Sequence, residues 1–237
     1  MNSPITPEVG IALLENSIIP TLLTEGSTDY RVLRRIEKKL ADCGVNFLPL
    51  GGRDNVLSVW AGLSPERRRT VAILVDLDMW LYFGVPQHLH DSNVILTQGY
   101  SIENDIFLDG PLFRLLSDEE KNSFHNDLEI VAIRHAREIH KCGQGEPFEL
   151  KTSAYKILAD GQVAIQLSAA EKRWFDMLKS HFGQTLRGKS LFQLLARQLS
   201  SSGRPVKFGY DHLYEIGASN LNGIFETLES RIRQAIC

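Results

Sequence analysis

Along the first hundred residues the apolar positions change period several times. IPTLLTE, residues 19–25, is a short apolar run opened by a proline and closed by an acid, and it reads as a buried strand. From Ser27 the spacing switches to threes and fours. Tyr30, Leu33, Ile36 and Leu40 share one side, while Arg34, Arg35, Lys38 and Lys39 take the other. That is an amphipathic helix, and it should close near Gly44. NFLPL, residues 46–50, predicts a second strand ending at Gly51-Gly52, and RDNVLSVWAGL behind it returns to helical spacing. TVAILVDLD, residues 70–78, is nearly continuous apolar sequence, as expected of a strand covered on both faces. NVILTQGYSI, residues 93–102, predicts a fourth strand. Strands alternating with helices in this order predict an α/β fold, a parallel sheet flanked by helices.

Beyond about residue 105 the texture is helical. SDEEKNSFHNDLEIVAIRHAREIHK opens with Ser117 and Glu120 in capping-box order. SAAEKRWFDMLKSHF and SLFQLLARQL come next, before a Ser/Gly/Pro break at 200–205. Residues 143–167 carry neither period. The expected organisation is an α/β domain over residues 1–110 and a mainly helical region over 111–237.

Composition narrows the class only slightly. The chain has 237 residues, 43% hydrophobic and 23% charged, within the ordinary globular range. No apolar run approaches the roughly 20 residues of a membrane helix. MNSPITPEVG lacks the layout of a secretory signal, so a soluble, cytoplasmic protein is expected. Cys43, Cys142 and Cys237 lie far apart with no CxxC pair, and the expectation is reduced thiols. Charge is more informative. Lys172, Arg173, Lys179, Arg187, Lys189, Arg197, Arg204 and Lys207 face one acid, Asp176, in the same stretch. That segment carries +7, leaving −10 for the rest of a chain whose net charge is −3. A basic surface beside an acidic one suits a polyanion held near a cluster of carboxylates, although a solvated helix pair has the same composition.

The acids fall at predicted strand ends. Glu25 closes the first strand, Asp76 and Asp78 close the third, and Glu103 lies just past the fourth. In parallel sheets the carboxyl ends of the strands border the ligand crevice. Residues two apart on a strand share a face, so Asp76 and Asp78 are expected to project together. Crowded carboxylates repel one another, and a hard cation such as Mg²⁺ relieves that repulsion while keeping positions for water and phosphate oxygens. Such a site would polarise a phosphodiester and activate water, with Glu25 as ligand or proton-transfer group. Gly26 would let the chain turn and leave room beside the acid.

Glu-Gly-x-x-Asp after the first strand and Asp-x-Asp after the third resemble the toprim domain of topoisomerases, bacterial primases and overcoming-lysogenization-defect nucleases. GGRDNV (51–56), GYSIEND (99–105) and RGKSLFQLL (187–195) are similar to the DUF4435 toprim-like group. Some members of that group are nuclease effectors of phage defence, acting beside an ABC-type ATPase as in the PARIS system. The resemblance implies a Mg²⁺- or Mn²⁺-dependent nuclease cleaving RNA (tRNA included) or DNA, a toxic antiviral effector with an ATPase partner. Self-association is left open. It maps Glu25, Asp76 and Asp78 onto the catalytic and metal-binding acids and gives Asp29 a supporting role. Glu103 and Asn104 match its Ser-x-Glu-Asn echo, as site residues or helix caps. Met79-Trp80 supplies no further acid where many toprim enzymes carry one. Arg187, Lys189 and Arg173 are the expected nucleic-acid contacts.

Two rival classes are a non-catalytic nucleic-acid or partner-binding module and a nucleotide switch. GQTLRGKS, residues 183–190, fits the phosphate-loop pattern. The helical, charged sequence before it argues against that reading and for a helix boundary at Gly188. His88 and His90 in QHLH, and the stacking-capable Trp60, Trp80 and Trp174, read more simply as solvent-facing and core residues.

Overall fold

The computed structural model describes residues 5–26, 30–161, 166–219 and 222–237. In chain order the first elements are α1 (Pro7–Glu15), β1 (Thr21–Thr24), α2 (Tyr30–Lys39), β2 (Asn46–Pro49), α3 (Arg53–Gly62), α4 (Pro65–Arg68) and β3 (Val71–Val75). Then come α5 (Trp80–Phe83), β4 (Val94–Leu96), α6 (Ile102–Asp109), α7 (Asp118–Gly143) and α8 (Ala154–Asp160). The last are α9 (Ala169–Ser180), α10 (Phe182–Thr185), α11 (Gly188–Leu199), α12 (Tyr210–Ser219) and α13 (Gly223–Ile236). The chain is α/β, with an all-parallel sheet flanked by helices and a helical C-terminal region. No helix among the described residues is long and apolar enough to cross a membrane.

The chain forms two compact units. One holds Met1–Leu77, Val85–Thr97 and Leu221–Cys237; the other holds Asp78–Gly84 and Gln98–Asn220. The last helix therefore belongs with the sheet, not with the helical region that precedes it. The physical reason lies in α13 itself, whose buried Phe225, Leu228, Ile232 and Ile236 give it an apolar face to cover β3 and β4.

The first unit is built on a sheet of order β2-β1-β3-β4. Every residue of β1 and β3 is buried, which explains why their sequences are continuous apolar runs without alternation. Right-handed crossovers in opposite directions along the sheet put α2 and α3 on opposite faces. Val32, Leu33 and Ile36 supply the buried stripe of α2, and Leu40 continues it just past the end of the helix. The fourth strand is shorter than expected, since pairing ends at Leu96 and Ser101 already caps α6.

The cysteines correct an expectation. Cys43 and Cys237, 194 residues apart, are joined in a disulfide with their Cα atoms 5.6 Å apart, and Cys142 alone is free. Arg233 draws the same ends together, giving Asp42 two contacts at 2.6 and 3.2 Å and donating to the Lys39 carbonyl at 3.1 Å. Sequence spacing hides this pair because only the return of α13 to α2 makes it.

In the second unit, α7 is a 26-residue helix started by a capping box at Ser117 and Glu120, as read from the sequence. It packs against α8, α9 and α11, and its core face includes Phe124, Leu128, Val131, Ala132 and Ile139. His135 sits in that face, fully buried, with no hydrogen-bond partner on either ring nitrogen among the described residues. Burial, with the Arg187 and Arg134 charges adding to it, pushes its pKa down to about 3. A base held neutral in the fold but free to charge when unfolded stabilises the protein above pH 6.5, and that stability is lost as pH falls from 6.5 toward 3. At pH 5 the loss amounts to roughly 2 kcal/mol. His135→Leu is expected to shrink the gap in thermal midpoint between pH 7.5 and pH 5. Asp105, whose carboxyl burial raises to about 6, acts with the opposite sign but equally in both proteins. An unchanged gap would show that His135 is not the group responsible.

Candidate active site

Glu25 directly follows β1 and Asp76 directly follows β3, the two central strands. The chain leaves β1 toward β2 on one side and reaches β3 on the other. The carboxyl ends of β1 and β3 therefore border the reversal of strand order, where a parallel sheet opens a crevice. Strand register puts Thr24 opposite Leu74, so Glu25 comes level with Val75 and Asp76 follows one residue further along. Oε1 of Glu25 accepts a hydrogen bond from the Asp76 N–H at 2.9 Å. The apolar run that ends on an acid thus delivers that acid to the neighbouring strand end.

Arg53 completes this arrangement, and sequence reasoning did not single it out. Gly51 and Gly52 have φ of 81° and 143°, conformations that a side chain would strain, and they turn the chain from β2 into α3. Asn55 ties the turn down by donating to the Leu50 carbonyl at 2.9 Å. Arg53, at the head of α3, then places Nε 3.4 Å from Glu25 Oε1, while a terminal guanidinium nitrogen donates to the Asp76 carbonyl. The signal was present in GGRDN, as an arginine behind two glycines at a strand end, but only the fold shows which acid it meets.

Asp78 departs from the expected geometry. The third strand ends at Val75, and Asp78 has φ +45°, the left-handed region that aspartate tolerates better than most residues. Its N–H donates to the Tyr100 carbonyl at 2.7 Å within the second unit. Asp76 and Asp78 therefore do not project from one face of a strand, because the period-two rule stops where the strand does. Asp29 lies outside the described residues.

Glu103 and Asn104 are buried in the first turn of α6. Glu103 accepts from Ser101 Oγ at 2.6 Å and from the Tyr210 hydroxyl at 3.1 Å. Burial first, and then the Glu103 charge, raise the Tyr210 and Tyr214 phenols well above their ordinary range, so both are held as donors. Asn104 caps the helix through the Ser101 N–H and donates to the Gly183 and Leu186 carbonyls at 2.9 and 2.8 Å. GYSIEND and RGKSLF, distant in sequence, are thus clamped together in one unit. Gly188 starts α11, as the sequence suggested. The segment before it is helix, so GQTLRGKS does not form the strand–loop–helix cradle of a phosphate loop.

The basic stretch is less free than its composition suggests. Lys172 pairs with Asp176, Lys179 with Glu129, Arg197 with Asp127 and Arg204 with Glu120. Lys189 and Arg173 are exposed and Arg187 is half-buried. His88 and His90 are exposed and Trp60 is in the core, while Trp174 packs edge-on against Tyr82 and Phe83.

Among the described residues no three His, Cys, Asp or Glu side chains form a group that could hold an ion. The pair at the β1 and β3 ends offers hard carboxylate oxygens. In donor type two carboxylates suit Mg²⁺, which takes one or two from protein with water and phosphate completing its shell, and the contact that joins these two residues is the Asp76 N–H on Glu25. Compared with models of known protein families and with curated proteins, the chain matches none.

Proposed function

We propose that this chain is a Mg²⁺-dependent nuclease, with Mn²⁺ able to substitute, that cleaves phosphodiester bonds in RNA or DNA. The observation that carries the reading is the hydrogen bond from the Asp76 N–H to the Glu25 carboxylate at the strand-order reversal. A Mg²⁺ bound there would polarise the phosphodiester and lower the pKa of a water. Asp76 and Glu25 would offer its oxygen donors, and Glu25 would also hold or pass a proton. Asp78 enters from the sequence reading and the toprim resemblance, and the supporting Asp29 from the resemblance alone. Arg187, Lys189 and Arg173 would hold phosphates in the second unit. The resemblance also motivates the biological part: a toxic antiviral effector in the cytoplasm, restrained by an ABC-type ATPase. A reducing cytoplasm would open the Cys43–Cys237 bond.

The second reading is a non-catalytic binding module. It is favoured by Arg53, which sits on Glu25 as a ready-made counter-charge. Purified protein incubated with total RNA and with plasmid, with and without Mg²⁺ and beside Asp76→Ala, separates the two. Fragmentation that needs both Mg²⁺ and Asp76 is expected, together with toxicity on expression that Asp76→Ala removes. Intact nucleic acid and no toxicity would favour the binding module.

A further inference from the structure

We propose that Arg53 gates cation entry at Glu25. Its guanidinium serves the carboxylate while no ion is present and must withdraw when one binds. The inference rests on the metal-dependent reading above and adds a control to it. Arg53 bridges two strand ends, with Nε 3.4 Å from Glu25 Oε1 and a terminal nitrogen on the Asp76 carbonyl. Both side chains are about four-fifths buried, at 19% and 18% exposure, so solvent screens the pair less than it would at the open surface. The turn at Gly51-Gly52 and the Asn55 tie fix where α3 begins, and with it the backbone that carries Arg53.

A carboxylate can be neutralised by this guanidinium or by a divalent ion, but the two cations repel when both crowd one acid. Exchange relieves that repulsion. Once released, the guanidinium is well shaped for the substrate, because its planar fork matches a phosphate with two parallel hydrogen bonds. The same residue that offsets the Glu25 charge in the cation-free site would then hold the substrate's charge. Nothing in this exchange forms or breaks a covalent bond.

Mn²⁺ binding to the full chain, monitored by the electron paramagnetic resonance of the free ion, tests the gate without any activity measurement. Arg53→Gln is expected to bind Mn²⁺ roughly tenfold more tightly than wild type, since a nearby positive charge is gone. Arg53→Lys, which keeps the charge, should stay closer to wild type, and Glu25→Gln should abolish the gain when combined with Arg53→Gln. Equal or weaker binding by Arg53→Gln, with Glu25-dependent binding in wild type, overturns the gate and leaves the metal site standing. Absence of Glu25-dependent binding in both proteins overturns both. Thermal melts of each variant show that a folded protein was titrated.

Discussion

For the nuclease proposed above, Glu25→Gln is expected to cut Mg²⁺-dependent cleavage by at least about 100-fold while costing the fold less stability than Glu25→Ala. The two effects separate because the carboxylate has two tasks. Its Oε1 accepts the Asp76 N–H at 2.9 Å, and an amide oxygen can take that hydrogen bond over. Its charge cannot be taken over, and with it go the hard donor and the proton acceptor. Glu25→Ala should fail on both counts, since the partly buried Asp76 N–H then lacks this acceptor at a cost of about 1–3 kcal/mol. Arg53 loses the charge of Glu25 as a partner in either variant. Cleavage rates measured beside denaturant unfolding curves read the two tasks independently. Cleavage by Glu25→Gln at the wild-type rate would remove Glu25 from the chemistry.

Gly188→Ala is expected to destabilise the protein by about 3 kcal/mol, the upper range for overpacking a close-fitted interior. A Cβ at this position would stand 2.1 Å from Ser101 Oγ, 2.8 Å from Asn104 Oδ1 and 2.9 Å from Glu103 Cβ. None of these neighbours retreats easily. Ser101 Oγ is hydrogen-bonded to Glu103, and the Asn104 amide is committed to two carbonyls. The thermal midpoint should fall by roughly 6–12 °C for a chain of this size. Lys189→Ala, one residue along and exposed, should change stability by no more than about 0.5 kcal/mol. Equal midpoints for the two variants would mean that α11 is free to shift away from α6. The glycine in RGKS is thus required by packing, whatever the lysine does.

How much of this was legible beforehand differs from element to element. All four strands could be located, the two central ones most clearly because a strand buried on both faces must be apolar throughout. Their ends could not. Pairing partners stop the third strand at Val75, and nothing local in VDLD says so. The same blind spot extended the fourth strand to residue 102, where hydrogen bonds from the Gln98 and Gly99 N–H groups to Asp105 already shape a helix start. Apparent freedom of the basic stretch was a similar error. Four of its cations meet acids, three of them on α7, and a composition count cannot see partners that distant.

The order of apolar runs and glycine turns in the sequence determined by itself that the chain makes a parallel sheet with an acid behind each of two strands. Periodicity and turn chemistry are local, and they survive reading one segment at a time. Tertiary structure alone decided that those strands are neighbours at the reversal point, that Glu25 meets the Asp76 main chain, and that Arg53 meets Glu25. It also brought Cys237 to Cys43 and Gly188 to Ser101. Each of these contacts joins segments about 30 to nearly 200 residues apart, and only strand pairing and the packing of helices on the sheet and on one another set their distances.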